Sequence, residues 1–265
     1  MKEGEHYTFG DSDVAAERLR LLARVFEPSS SRLLGSLGSL GNAAGGLAVD
    51  LGCGPGSTTR LVAEHVAVER VVGLDQSARL LEQATREQAN SRVSFLQCDV
   101  SAPPFPLPAA NVLYSRFLLT HLREPAEVVR AWARAARPDS LLVLEETAFM
   151  TGEHPAFPRY YALVERMQAH YGQRMYIGRE LSALTTCAEW SQESAEITVV
   201  PLPAADMARL HALNLSTWSS DPFAQANYDL SQLSVLGAEL LQIASSEVLA
   251  PAVSCGIGQV VLRRR

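Results

Sequence analysis

The segment Val49–Gly56 reads VDLGCGPG, and it constrains the fold more than any other part of the sequence. Its apolar start is followed by glycines at alternate positions, Gly52, Gly54 and Gly56. Glycine adopts positive φ without strain and leaves room for a ligand against the backbone. The helix predicted from about Ser57 directs its free amides towards that ligand. The pattern therefore predicts a strand, a ligand-binding turn and a helix in succession.

The spacing of these glycines distinguishes between two kinds of ligand. A dinucleotide fingerprint has the form G-x-G-x-x-G, and counting from Gly52 its last position falls on Ser57. The chain has G-x-G-x-G instead, with Asp50 two residues before the first glycine. The spacing therefore disfavours a nicotinamide dinucleotide.

Further apolar segments predict strands that each end in a polar residue. They are Val71–Asp75, Arg92–Asp99, Asn111–Ser115 and Ser140–Glu146. Asp75 lies 19 residues beyond Gly56. A carboxylate at that point can accept both hydroxyl groups of a ribose that lies across the strand ends. The series predicts a parallel sheet whose carboxyl edge binds a nucleoside.

Taken together, these segments resemble the class I S-adenosylmethionine-dependent methyltransferases, whose first motif has the form E/D-x-G-x-G-x-G. The resemblance covers the strands from the glycine turn to Glu146, in the family's order. It implies an α/β fold with a Rossmann-like, seven-stranded, mostly parallel sheet and helices on both faces. A helical lid from the N-terminus and from insertions late in the chain is expected in addition. The implied cofactor is S-adenosyl-L-methionine.

The resemblance also implies roles for individual residues. Asp75 would accept the ribose hydroxyls, Asp99 the adenine amino group, and the Val100 amide would face the ring. Tyr7 would either close over the sulfonium or pack the N-terminal helix down, and Arg116 would reach a carboxylate of the cofactor or substrate or form a surface salt bridge. The complete predicted cofactor-binding set is Tyr7, Asp50, Gly52, Gly54, Asp75, Gln76, Asp99, Val100, Ser115 and Arg116.

Two residues are candidates for catalysis. Methyl transfer from a sulfonium needs alignment of the reactants and a nucleophile with a lone pair, and a base assists where the nucleophile is protonated. His121, a turn or two past Ser115, is the first candidate for that base, and the alternative is a histidine that packs or caps a helix. Glu146, at the end of the fifth strand, either holds a substrate amine or caps the following segment.

The remaining chain is predicted to add helices and two strands to this core. Val14–Phe26 has an amphipathic helical pattern, and the Gly- and Ser-rich stretch Ser29–Gly46 is predicted to be a helical turn followed by a loose connector. Further helices are predicted at Pro155–Gln173, Gly178–Leu184, Ala204–Leu215 and Asp229–Ser246, and the last two strands at Glu196–Val200 and Ile257–Arg264. We divide the chain into an N-terminal helical cap (1–45), a cofactor-binding core (46–150) and the rest of the sheet with helical lid insertions (151–265).

Composition limits the partners and the compartment. The chain has 265 residues, 47% hydrophobic and 20% charged, as expected for a soluble globular protein. Its net charge of −6 argues against a nucleic-acid partner. The sequence lacks the roughly 20 apolar residues of a membrane span and the basic, then apolar start of a signal peptide, so we expect a cytoplasmic protein with no membrane partner. The oligomeric state is left open, with a homodimer as one possibility.

Cysteine and acid patterns predict no metal. The four cysteines show no C-x-x-C spacing. The strand ends also lack the set of hard oxygen ligands that metal-dependent relatives carry.

The acceptor is predicted to be a small metabolite that is methylated at oxygen, nitrogen or carbon. The aromatic residues of His154–Tyr176 form a helical face that is typical of a core. If that face borders the site instead, it predicts a partly aromatic acceptor of secondary metabolism. Two other classes remain open: a protein that binds the cofactor without methyl transfer and, less favoured, an NAD(P)-dependent oxidoreductase.

Overall fold

The computed structural model describes residues 13–40, 46–218, 220–246 and 252–265. The strands are β1 (Leu47–Leu51), β2 (Arg70–Asp75), β3 (Val93–Gln97), β4 (Ala110–Arg116), β5 (Ala136–Gly152), β6 (Trp190–Leu202) and β7 (Val253–Arg264). They form one seven-stranded sheet with the order β3-β2-β1-β4-β5-β7-β6. The first five strands are parallel, and β7 runs antiparallel to both β5 and β6. The predicted mostly parallel sheet is confirmed.

Helices connect and cover these strands. They are α1 (Asp13–Ser36), α2 (Ser57–His65), α3 (Ala78–Gln88), α4 (Pro125–Trp132), α5 (Ala156–His170), α6 (Leu181–Leu184), α7 (Ala204–Trp218), α8 (Pro222–Asn227) and α9 (Leu230–Ser245). Side-chain caps begin α3 at Ser77, α8 at Asp221 and α9 at Asp229, where a side-chain oxygen accepts backbone amides of the first turn. Within the described ranges, no helix is long and apolar enough to cross a membrane.

Alternate residues of the sheet face two apolar cores, as the geometry of a strand requires. On one face, Leu51 of β1 is buried with Trp132 of α4. On the other face, Ala48 of β1 is buried with Leu61 of α2 and Leu34 of α1. Helices therefore cover both faces of the sheet, which is the predicted arrangement.

Helix α1 is longer than the sequence pattern predicts. The amphipathic pattern ends at Phe26, and a helical turn followed by a loose connector was expected from Ser29, but one helix continues to Ser36 with Pro28 inside it. Leu34 is fully buried in the core between α1, α2 and the sheet. Burial of this second apolar stretch outweighs the poor helix propensity of Gly and Ser, so the predicted helical turn is part of α1 and the connector begins later than expected.

The helices after β5 form a third apolar cluster together with α1. Tyr160 of α5, Met207 of α7 and Leu236 of α9 are buried there with Phe26 of α1 and Ile257 of β7. We call α1, α5, α7 and α9 the helical cap. The cap is built on the antiparallel end of the sheet, and α1 extends from it towards the parallel strands.

A close backbone contact attaches the short turn at residues 177–179 to the sheet. A Cβ atom added to Gly178 would overlap the Glu146 carbonyl oxygen and lie 2.7 Å from the Thr147 carbonyl carbon. A Cβ atom added to Gly258 would lie 2.9 Å from the Gly178 carbonyl carbon. Glycine at both positions lets the turn pack directly on β5 and β7.

Candidate active site

The glycine turn after β1 has the backbone geometry that its sequence predicts. Gly52, Gly54 and Gly56 have φ angles of 73°, 52° and 84°, in the left-handed region that favours glycine. The Gly52 amide donates to the Leu74 carbonyl at 2.8 Å and so fixes the turn to β2. A Cβ atom at Gly52 would lie 2.9 Å from a methyl carbon of Leu118, so the turn also passes close to the segment after β4.

Asp75, at the end of β2, supports this turn and faces the cavity beside it. Its Oδ2 accepts the Gly54 amide at 2.8 Å and its Oδ1 accepts the Ser77 amide at 2.9 Å. The next residue, Gln76, lies along the same cavity. The carboxylate is thereby held in one orientation at the sheet edge.

Asp99 and Val100 follow β3, the strand beside β2, and also line the cavity. Asp99 Oδ1 accepts the Ser101 amide at 2.9 Å and the Ser101 hydroxyl at 2.6 Å. The Val100 carbonyl accepts the indole N–H of Trp132 at 2.8 Å. A carboxylate and a buried apolar side chain are thus both presented by a loop that α4 fixes in place.

The carboxyl ends of β1 to β4 open into a cavity of about 1120 Å³ that α1 covers. Parallel strands of this kind of sheet commonly bind ligands at that edge. The structure brings together most of the predicted site residues there: Gly52, Gly54, Asp75, Gln76, Asp99, Val100, Arg116 and His121 all line the cavity. Within the described ranges, no group of three His, Cys, Asp or Glu side chains is arranged to hold a metal ion.

Asp50 lies behind the glycine turn and does not line the cavity. It is 1% exposed, and its Oδ2 accepts hydroxyl hydrogen bonds from Thr58 at 2.6 Å and Thr59 at 2.7 Å. Burial raises its pKa to about 6, against the opposing effect of these hydrogen bonds. In the structure, Asp50 fixes the first turn of α2 to β1 and supports the cavity wall from behind, because its partner Thr58 lines the cavity.

Glu146 also points away from the cavity. It is 1% exposed, and its Oε1 accepts the Leu119 amide at 2.6 Å. Burial raises its pKa to about 8, although hydrogen bonds from the backbone of Leu118, Leu119 and Thr120 lower it. Glu146 therefore holds the turn after β4, which is neither the predicted contact with a substrate amine nor the predicted cap of the segment that follows strand five.

Two further predicted residues lie elsewhere. Ser115 is fully buried within β4 and does not line the cavity. Side chains alternate along a strand, so Ser115 faces the side of the sheet opposite to that of Arg116, which lines the cavity. Tyr7 lies outside the described residues.

His121 ends the short turn after β4 and is half-buried against the cavity. Burial lowers its pKa to about 4, and the nearby positive charge of Arg18 acts in the same direction, while a hydrogen bond with Gln173 opposes both. The imidazole is therefore neutral at physiological pH, with its basicity reduced.

Sequence reasoning predicted a lid from the N-terminal helix but named none of the α1 residues that line the cavity. Arg18, Leu19, Leu22 and Ala23 all line it, and Arg18 is only 4% exposed. Arg18 lies one helical turn before Leu22, so both occupy one face of the helix. The sequence signal that could have identified Arg18 was a positively charged residue within the apolar face of the predicted N-terminal helix.

The aromatic residues of α5 are in the helical cap, away from the cavity. Phe157, Tyr160 and Tyr161 are buried and do not line it. The Tyr160 ring stacks on the His211 ring at a centroid distance of 4.2 Å, and its hydroxyl accepts from the Asn214 amide at 2.8 Å. This segment has the core packing that its helical spacing indicates.

Comparison with known proteins gives a consistent picture. Residues 49–144 match a family model described as a methyltransferase domain. The chain is 29% identical over 178 residues to a trans-aconitate 2-methyltransferase of Azoarcus sp. (strain BH72), covering 65% of this chain and 59% of that protein. A trans-aconitate 2-methyltransferase of Paracidovorax citrulli is 35% identical over 98 residues, covering 37% of each chain. The chain thus spans less than two thirds of the length of these curated relatives.

Solved structures share the fold. An S-adenosylmethionine-dependent methyltransferase from Mesorhizobium loti superposes with a TM-score of 0.51 at 20% identity, covering 91% of this chain and 98% of that one. The cyclase SpnF superposes with a TM-score of 0.55 at 19% identity, covering 88% of this chain and 80% of that one. At these identities the likeness establishes the architecture alone.

Proposed function

We propose, on the premise that this chain belongs to the class I S-adenosylmethionine-dependent methyltransferases, that it transfers a methyl group to a carboxylate oxygen of a small organic acid. One observation carries the proposal: a single cavity joins the glycine turn, Asp75 and Asp99 to a buried arginine and a neutral histidine beside α1. The two ends of the cavity suit the two reactants.

S-adenosyl-L-methionine is the cofactor of this family, and the sheet end of the cavity fits it. Asp75 offers a carboxylate for the ribose hydroxyls, Asp99 one for the adenine amino group, and the glycine turn leaves its backbone open beside them. When bound, the cofactor supplies a methyl group on a positively charged sulfur. The residues of this chain align the acceptor with that group and exclude water from it.

The α1 end of the cavity suits an anionic acceptor. Arg18 is buried, lines the cavity and lies near enough to His121 for its charge to lower that residue's pKa. A guanidinium group binds a carboxylate through paired charge-assisted hydrogen bonds. The acidic residues among the described lining residues are Asp75 and Asp99, both at the cofactor end.

The low basicity of His121 also favours a carboxylate acceptor. A general base is most efficient when its pKa lies near the working pH, whereas the pKa of His121 is lowered to about 4. A carboxylate with an ordinary pKa of about 4 is already ionised at neutral pH and needs no base. A hydroxyl or amine must first lose a proton, and His121 is a weak base for that step. We therefore assign His121 the role of orienting the acceptor.

The relatives support the same class of acceptor. Two of them are named as methyltransferases of trans-aconitate, an organic acid anion. The aromatic residues of α5 give no support to an aromatic acceptor, because Phe157, Tyr160 and Tyr161 lie in the helical cap and do not line the cavity. Binding of the cofactor without methyl transfer remains the alternative function.

A methyl-transfer assay tests the proposal. The protein is incubated with methyl-labelled S-adenosyl-L-methionine and, separately, with aliphatic di- and tricarboxylic acids including trans-aconitate, with their full methyl esters, with phenols and with amines. We expect label in base-labile esters of one or more acids and none in the full esters. Transfer to phenols or amines alone would overturn the acceptor class, and binding of S-adenosylhomocysteine with no transfer to any acceptor would favour the alternative function.

Arg18→Gln is the matched test of the acceptor end. Removing a charged hydrogen bond costs about 1.5 to 3 kcal/mol, so we expect KM for the acid to rise roughly 10-fold or more while affinity for S-adenosylhomocysteine changes little. Arg20→Gln is the control, because Arg20 pairs with Glu87 on the protein surface and does not line the cavity. Equal KM values for the two variants would remove Arg18 from the acceptor site.

A further inference from the structure

A buried polar network joins α1 to the sheet below the cavity. The hydroxyl of Ser30 accepts from Nη1 of Arg116 at 2.8 Å, and the hydroxyl of Ser29 accepts from Nε2 of Gln259 at 3.3 Å. Ser29 and Ser30 are 3% and 0% exposed. Both serines lie in the part of α1 that continues past Pro28, so the unpredicted half of the helix makes these bonds.

The network continues through the strands. Glu145, fully buried on β5, accepts the Tyr114 hydroxyl at 2.6 Å and the Gln259 amide at 2.8 Å. Burial and the neighbouring charge of Glu145 raise the pKa of Tyr114 well above its usual value, so its hydroxyl remains a donor. Helix α1 is therefore connected through hydrogen bonds to β4, β5 and β7.

A second contact fixes the residue after Arg116. Phe117 has a φ angle of 54°, a conformation that costs a residue with a side chain of order 1 to 3 kcal/mol. Its amide donates to the Glu145 carbonyl at 2.9 Å, and its ring meets the Phe26 ring of α1 edge-on at 5.1 Å. Helix α1 thus contacts two successive residues at the exit of β4, and both line the cavity.

The charge of Arg116 calls for an anion. The side chain is 9% exposed and lines the cavity, yet among the described residues no carboxylate lies within ion-pair distance of it. Its hydrogen bond goes to the neutral hydroxyl of Ser30, its guanidinium carbon lies 5.6 Å from the centre of the Phe117 ring, and its charge acts on the Asp50 carboxyl only from beyond that distance limit. A buried cation is costly unless a negative group pairs with it, and the amino-acid end of the cofactor carries a carboxylate.

We propose that Ser30 is a positioning residue, which aims Arg116 at the amino-acid carboxylate of the cofactor and thereby couples docking of α1 to cofactor binding. This inference rests on the proposed function only for the identity of the cofactor. The coupling is reciprocal, because whatever free energy docked α1 adds to cofactor binding is added by the cofactor to the docking of α1. The helix that supplies Arg18 to the acceptor end is then held most firmly when the cofactor is in place.

Calorimetric titration with two probes tests the inference. S-adenosylhomocysteine carries the amino-acid carboxylate, and methylthioadenosine keeps the nucleoside but lacks that group. We expect Ser30→Ala to weaken binding of S-adenosylhomocysteine about 5- to 20-fold, the loss of one hydrogen bond to a charged group, and to leave methylthioadenosine within about twofold. Ser36→Ala is the control, because its hydroxyl donates within α1 to the Leu33 carbonyl, and both probes should bind it as they bind the wild type.

Arg116→Gln provides a second variant that leaves α1 unchanged. It should show the same selectivity between the probes with a larger loss, and Ser30→Ala in the Arg116→Gln background should cause little further loss. Equal weakening of both probes by Ser30→Ala, or an additive double variant, would overturn the inference and indicate a general effect on stability. A wild-type protein that binds both probes equally would overturn it and leave the proposed function standing, whereas one that binds neither would remove the proposed function as well.

Discussion

Asp75 combines two tasks in one side chain, since its carboxylate is bonded to the Gly54 and Ser77 amides and also lines the cavity. We expect Asp75→Ala to weaken binding of S-adenosylhomocysteine by about 1.5 to 3 kcal/mol, or roughly 10- to 150-fold. The ribose would lose a charged acceptor and the turn would lose its support. Titration calorimetry measures the change.

Asp75→Asn separates these two contributions. It keeps an oxygen for one backbone amide but removes the charge, so its loss of affinity should be smaller than that of Asp75→Ala. Unchanged affinity in Asp75→Ala would show that the ribose is held elsewhere.

At the residue scale, local patterns predicted the turn well and the strand-end side chains less well. Gly52 and Gly54 were predictable because their backbone role depends on a few neighbours in sequence. The direction of Glu146 was not, because it depends on the path of the Leu118–Thr120 backbone, which comes from a different strand connection. The predicted strand end was also wrong, because β5 continues to Gly152 and Glu146 lies inside it.

At the element scale, the contact of the 177–179 turn with the sheet makes a stability prediction. We expect Gly178→Ala to destabilise the protein by about 1 to 3 kcal/mol, because the new methyl group would overlap the backbone of β5. The measurement is the free energy of unfolding in urea.

Gly35→Ala is the matched control for this substitution. Gly35 is exposed on α1 and has open space around its Cβ position. Alanine is the better helix former by about 0.5 to 1 kcal/mol, so this variant should be more stable than the wild type. Two changes of the same kind should thus act with opposite sign. Unchanged stability of Gly178→Ala would contradict the contacts described at Gly178, and destabilisation by Gly35→Ala would contradict the open space at Gly35.

The helices and strands were predictable where the local hydrophobic pattern of the sequence is strong. Parallel strands buried on both faces give continuous apolar runs, and β1, β2, β4 and the buried part of β5 were predicted from such runs, whereas β3 is a partly exposed edge strand with a weaker pattern. The second half of α1 gives no such signal. Ser29 and Ser30 have low helix propensity, and their hydrogen-bond partners Gln259 and Arg116 lie far along the chain. Long-range hydrogen bonds of this kind leave no trace in a local window.

At the scale of the whole molecule, buried ionisable groups set the pH dependence of stability. Burial raises the pKa of Glu146 from 4.5 to about 8, so the folded protein keeps a proton there that the unfolded chain releases. The stabilisation is fully present below pH 4.5 and is lost as pH rises through about 8. The imidazoles of His121 and His211 have pKa values lowered to about 4 and about 3. They act in the opposite direction and cost stability as pH falls below 6.5.

Glu146→Gln should therefore flatten the alkaline side of the stability profile. Between pH 6.5 and 8 we expect the wild type to lose on the order of 1 to 2 kcal/mol that the variant keeps, because glutamine resembles the protonated acid and does not ionise. Urea unfolding at both pH values measures the difference. Glu82→Gln, at an exposed position of α3, is the control and should retain the wild-type slope; a variant at Glu146 that did so would contradict its raised pKa.

The position of β7 has a consequence for how the protein is made. This strand is the last of the described strands along the chain, yet it lies between β5 and β6 in the sheet. During synthesis on the ribosome, the edges of β5 and β6 that pair with β7 stay unpaired until residues 253–264 emerge. Strand β6 meanwhile carries Ile197 and Val199, which remain exposed even in the finished fold. The nascent chain is therefore most prone to aggregate, and most in need of a chaperone, before β7 emerges from the ribosome.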